Sequence, residues 1–311
     1  MNISLLLRGG TVLIGSLIVS FFSGCATAIR VPLSGAEKQV TSSQVVVGLR
    51  SQEIATDIHP SNVSAVTGGG LIGAIVDTSI DHSRAKDAEK AVIPLRNALV
   101  GYDLGQDFSD ALRAELAKID WLKNVSVDTR HLPNNKALTA WVKDANTDVV
   151  LVADTDYRLT PDFDAITLRV VVSLHAHAPA LAKNAIEKDY LPPVLYFNVF
   201  ATTIPLPVAI AKGKLDECAT FWAADGGKLA REALGQAIPE LAKMLAFDLQ
   251  QPGTQDNALY KAPPGADKWA VLVPATPGVP QQLMMEGYVV HQEGSRVWVR
   301  LPGGQLVSTK R

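Results

Sequence analysis

His175 and His177 stand two residues apart at the end of an apolar run, a spacing that puts two imidazoles on one face of a β-strand. Such a pair could begin a metal site, but tetrahedral zinc needs a third or fourth donor. No histidine or acidic motif with ligand spacing follows, so hydrogen-bonded or solvent-facing histidines are the simpler reading and no metal is expected. Asp148, Asp154, Asp156, Asp162 and Asp164 cluster nearby. Their spacing departs from the twelve-residue calcium loop with its late glutamate. Asp154 and Asp156 share a strand face, where Arg158 or Arg169 could neutralise them. Cys218 lies among Ala219, Phe221 and Trp222 and reads as a small buried apolar residue. Cys25 is different. It follows Phe22-Ser23-Gly24 at the end of an apolar run that starts at Thr11, behind the basic Arg8.

No Gly-x-Ser-x-Gly elbow, phosphate-cradling glycine loop or paired-histidine zinc helix occurs. Catalytic groups can assemble from distant residues, but no local pattern argues for them. The expectation is a protein that is not an enzyme and carries no cofactor. The alternative is a hydrolase or metal-dependent enzyme built on His175, His177 and the nearby aspartates.

The apolar run before Cys25 falls short of the roughly 20 residues of a membrane-spanning helix and fits a secretory signal core. Its Phe-Ser-Gly-Cys ending resembles the lipobox of bacterial lipoproteins, with phenylalanine where leucine is usual. The resemblance implies cleavage before Cys25, a diacylglycerol on its sulfur and an acyl chain on its amine. Several chains together anchor a protein stably, each buried methylene contributing about 0.8 kcal/mol. Ala26 in the next position resembles a signal for transfer to the outer membrane, giving a periplasm-facing protein.

Arg8 is the one charged side chain before Cys25, so the remainder keeps 28 of the 29 basic side chains against all 31 acidic ones, a net of −3. The basic residues are scattered. That excludes the basic face that nucleic-acid binding needs and leaves membrane attachment to the lipid. With Cys25 acylated, Cys218 has no cysteine to pair with.

Elements that would position these residues follow from periodicity. A β-branched run over Gln44–Leu49 predicts a strand. Gly68, Gly69, Gly70 and Gly73 precede and enter a helical pattern that Pro94 should kink or restart. These small residues favour close backbone packing, or a partner or oligomer contact. Phe108, Leu112, Leu116 and Ile119 make a helical stripe. Val125–Asp128 reads as a strand and Ala137–Ala145 as a short helix. Asp148–Leu159 and Ala165–Ala176 form a hairpin, and Val194–Thr203 a third strand whose preceding Pro192-Pro193 suits an edge or a strand start. Glu217–Asp248 is a long amphipathic helix, expected to bend at Pro239 and to leave Glu240 on its solvated side. The last 45 residues alternate with period two.

The fold class is therefore α+β: a mostly antiparallel sheet packed by amphipathic helices, with a small C-terminal β module. Residues 1–24 would be the signal peptide, 25–43 a lipidated tether, 44–250 a mixed α/β domain and 265–311 the β module.

With its lipobox and this element order, the chain resembles proteobacterial envelope lipoproteins, whose stretches are similar to the segment from Gly68. The element order over residues 44–250 is also similar to periplasmic α/β domains of the curli-channel and TolB N-terminal type. That likeness implies a binding or assembly role with an envelope protein or glycan partner, and brings no catalytic residue. Self-assembly through Gly68–Val76 is a further alternative.

Overall fold

The computed structural model describes residues 30–35, 39–61, 71–182, 186–188, 191–251, 265–273 and 283–311. Cys25, Gly68, Gly69 and Gly70 lie outside these residues. Strands β1 (Ser43–Leu49), β2 (Ala55–Thr56), β3 (Val125–His131), β4 (Val149–Leu159), β5 (Ala165–Ala176), β6 (Ile186–Lys188), β7 (Leu191–Pro205), β8 (Lys268–Val273), β9 (Leu283–Glu293), β10 (Arg296–Arg300) and β11 (Leu306–Lys310) make one sheet. Its order is β3-β1-β4-β5-β7-β11-β10-β9-β8, with β2 beside β4 and β6 beside β7. The fold is α+β. Most pairs are antiparallel, while β1 runs parallel to both neighbours and β11 runs parallel to β7.

The parallel corner explains the β-branched run. Val45 and Val47 of β1 face the main core, together with helices α1 (Leu71–Ala91), α2 (Ile93–Ala98) and α3 (Leu104–Leu116). Val46 faces Leu132, Val142, Val150 and Val152 on the other side, under helix α4 (Asn135–Asp144). A strand covered on both faces has no solvated side to alternate with. Gly73 lies in α1, Pro94 starts α2 at its second residue, and the expected stripe Phe108, Leu112, Leu116 and Ile119 is fully in the core. The turn Pro179–Ala182 is α5.

Helix α6 (Leu215–Gln250) covers the main core face and departs from expectation twice. Its backbone breaks at 224–227, where Asp225, Gly226 and Gly227 all have positive φ, and stays helical through Pro239. Two consecutive glycines adopt this left-handed geometry at little steric cost. Glu240 is buried rather than solvated. Trp298 Nε1 donates to its Oε1 at 2.7 Å and Ser308 Oγ at 2.6 Å. The cause is the C-terminal strands, which pack on the side of the helix that sequence periodicity assigned to water.

These strands form the expected antiparallel sheet. Their inner cluster is Val271, Val273, Val297, Val299, Leu301 and Val307, while the alternate residues Trp298 and Leu306 enter the main core. At Gly287 a Cβ would come within 2.6 Å of the Arg300 carbonyl oxygen, beside the register shift at Trp298/Val299. The sheet is joined edge to edge with the rest through Leu306–Ser308 of β11 on Phe200–Thr202 of β7.

Candidate functional site: a crevice at the ends of the parallel strands

The chain leaving β1 crosses to β3 over the main core face, and the chain leaving β3 returns to β4 through α4 on the opposite face. Connections that part in this way open a crevice beyond the carboxyl ends of the strands. A cleft of 520 Å³ lies there, bounded by Leu49 and Ser51–Ile54, by Leu99–Leu104 and by Thr129–His131.

Its floor is packed. A Cβ on Gly105 would lie 2.3 Å from Thr129 Cγ2, and the Thr129 and Ser109 hydroxyls are 2.6 Å apart. Asp103 caps α3 by accepting from Gln106 N at 2.9 Å. Tyr157 donates to the Gln52 carbonyl at 2.9 Å, and burial, with the Glu53 charge behind it, pushes its hydroxyl up to about 12. Burial followed by the neighbouring Asp107 also raises the Tyr102 hydroxyl. Both phenols are thus neutral groups at physiological pH.

Arg96 is a fixed strut in the wall. It donates from Nε and Nη2 to the Ile54 carbonyl at 3.1 and 3.0 Å and from Nη1 to Glu89 at 2.6 Å, and its hydrogen bond lowers the Glu89 carboxyl. At the rim, Glu53, Arg130 and His131 are exposed, and Val100 is 77% exposed. Arg130 also lies 5.8 Å from the Trp141 ring centroid. The result is an open cleft with both signs of charge around an apolar lip, suited to holding a polar chain or headgroup. Of its charged side chains, Glu53 pairs with the Arg96 strut at 3.4 Å, while Arg130 and His131 come from the end of β3.

The residues first considered for chemistry have other partners. Asp156 is buried between Arg158, with Nε 2.9 Å away, and Arg169, also 2.9 Å away. Arg158 extends to Asp57 at 2.6 Å. Asp154 pairs instead with Arg50, at 2.7 Å, a partner far in sequence that alternation could not supply. Burial raises the carboxyls of Asp57 and Asp154 against these arginines. Asp148 accepts from Thr41 N, Thr41 Oγ1 and Ser42 N, and the Thr41 hydroxyl is the main cause of its lowered carboxyl. Asp162 meets His59 at 3.2 Å and Asp164 accepts from Thr160 at 2.6 Å.

His175 is fully buried with Nε2 2.8 Å from Ser173 Oγ. β5 ends at Ala176, so His177 falls beyond the strand, its N–H on the Asp148 carbonyl at 2.9 Å. The two histidines are therefore not successive members of one strand face. Among the described residues no group of three or more His, Cys, Asp or Glu side chains is placed to hold a metal. Cys218 is buried, and burial raises its thiol.

A second polar centre was not anticipated. Asp248, fully buried on α6, accepts from Arg300 at 2.5 Å, Tyr196 at 2.7 Å, Asn198 at 2.8 Å and Arg30 at 3.1 Å. Arg30 N donates to the Gly303 carbonyl at 3.0 Å, and Val31 exchanges backbone bonds with Phe197 at 2.8 and 3.0 Å. A lone aspartate at an apolar helix position was the sole sequence signal for this centre.

No protein-family model matches the chain, and no curated protein matches it. Solved structures to which the chain is similar include two forms of one protein. The PelC dodecamer from Paraburkholderia phytofirmans is 13% identical over 71% of this chain and 97% of that one, with a TM-score of 0.26. A singly substituted PelC dodecamer from the same organism is 11% identical over 66% of this chain and 88% of that one, with a TM-score of 0.24.

Proposed function

We propose that this protein is a lipid-anchored lipoprotein of the outer membrane, facing the periplasm and acting as a non-catalytic binding or assembly module. The Phe22-Ser23-Gly24-Cys25 ending supports the anchor. Among the described residues no helix is long and apolar enough to cross a membrane. The observation that carries the binding role is the 520 Å³ cleft at the parted connections of β1 and β3. The partner class is an envelope protein or glycan.

The competing enzymatic reading, on His175 and His177, is disfavoured by where their strand ends and by the arginines that occupy Asp154 and Asp156. Self-assembly through Gly68, Gly69, Gly70 and Gly73 is the remaining alternative, and light scattering on the unlipidated Cys25→Ser form tests it, a monomer removing it.

The binding role is tested with a photo-crosslinking amino acid at position 100 on the cleft lip and, separately, at exposed position 136 on α4. Intact cells should give a discrete adduct from position 100 that Arg130→Glu weakens. Equal adducts from both positions, or none from the lip, would remove the cleft as the binding site.

A further inference from the structure

Arg30 fastens the chain to the domain five residues after Cys25. Its side chain reaches Asp248, its N–H reaches Gly303, and Val31 beside it bridges Phe197. Gly304 has no side chain where Arg30 packs; a Cβ there would lie 2.4 Å from Arg30 Cβ. Five residues span at most about 17 Å even fully extended. The chain between Cys25 and Arg30 can thus reach no farther than about 17 Å from the folded body.

The clamp and the cleft sit at opposite ends of one helical arm. Arg231, near the start of the 228–250 arm of α6, donates to the Ala98 carbonyl at 2.9 Å and lies 5.4 Å from the ring of Tyr102, a cleft residue. Asp248, at the other end, holds Arg30. The 17 residue steps from Arg231 to Asp248 rise about 26 Å at helical pitch. The arm is rigid through this length, because the backbone break lies before it at 224–227 and its inner face is buried throughout.

We infer that the acylated N-terminus holds the Asp248 end of the domain against the lipid headgroups and carries the cleft at the far end of the arm, away from the bilayer. This rests on lipid attachment at Cys25. A short leash on one end of a rigid body restricts how that body can lie, so the cleft meets its partner from one side.

The test uses full-length acylated protein in vesicles that contain a headgroup-labelled quenching lipid. Single cysteines, Gln250→Cys and Val100→Cys, carry a small fluorophore, while Cys218 is buried and stays unlabelled. The expected result is loss of most emission at position 250 and unchanged emission at position 100. Inserting a long Gly/Ser segment between Cys25 and Arg30 should erase that difference. Acylated protein quenched equally at both positions overturns the orientation alone. Protein without acyl mass, measured on the same sample, overturns the anchor as well.

Discussion

Arg30 Nε donates to Asp248 Oδ2 across 3.1 Å, joining residues 218 positions apart and binding the N-terminal segment to the last turn of α6. Arg300, Tyr196 and Asn198 converge on the same carboxylate. Four donors around one fully buried charge make this the point where the N-terminal segment, the central strand β7 and the C-terminal strands are held together.

Replacing Asp248 by alanine leaves two arginines without their anion and should cost about 3–5 kcal/mol, as removal of one partner of a buried ion pair does. Arg30→Ala removes one donor at a partly exposed position and should cost about 1–3 kcal/mol. Urea unfolding of the unlipidated domain measures both. Equal, small effects would show that the centre is not a stabilising one.

Acid should reveal the same carboxylate. Burial pushes Asp248 up, but Arg300 and Arg30 outweigh it and hold the group below its ordinary value. Its contribution is therefore complete above the unfolded-state value of about 3.9 and is lost as pH falls below that toward the folded value. Stability of the native sequence should drop across this window, and Asp248→Asn should flatten that part of the profile.

Glu240 offers a conservative contrast. Glu240→Ala strands the Trp298 N–H and the Ser308 hydroxyl in the core and should cost about 1–3 kcal/mol. Glu240→Gln retains an acceptor oxygen and should lose clearly less. A glutamine variant as unstable as the alanine one would mean that the charge, rather than the acceptor, matters.

The sequence was most legible where burial is one-sided and partners are near. The hairpin of β4 and β5 and the stripe of α3 appear close to their expected limits, because adjacent segments pair and a helical face needs only a local period. Glu240 misled for the opposite reason. What buries it comes from Trp298 and Ser308, 58 and 68 residues later on β10 and β11, and leaves no mark on the helix's own periodicity. Separations of 104 and 106 residues hid Arg50 as the partner of Asp154 and Leu306–Ser308 as the strand beside β7. The cleft was invisible as a motif because it arises from the direction of two crossings, with lining residues spread from Leu49 to Tyr157.

Gly287 should be intolerant of even a methyl group. Alanine there would press on the backbone of Arg300, where neither strand can yield without changing register, and should cost about 1–3 kcal/mol. Thermal unfolding of Gly287→Ala checks this, and a native melting temperature would contradict the tight crossing.

Zinc should leave the domain unchanged. His175 is bonded to Ser173 and His177 lies beyond the strand, so added zinc or a chelator should not shift the melting temperature. A saturable rise would signal a ligand bound to the folded state and revive the metal reading.

The most direct measurement is the intact mass of the protein extracted from envelopes of its host. The account predicts a chain beginning at Cys25 and carrying the mass of a diacylglycerol and an acyl group. A chain that retains Met1, or one that begins elsewhere with a free Cys25 thiol, would contradict it.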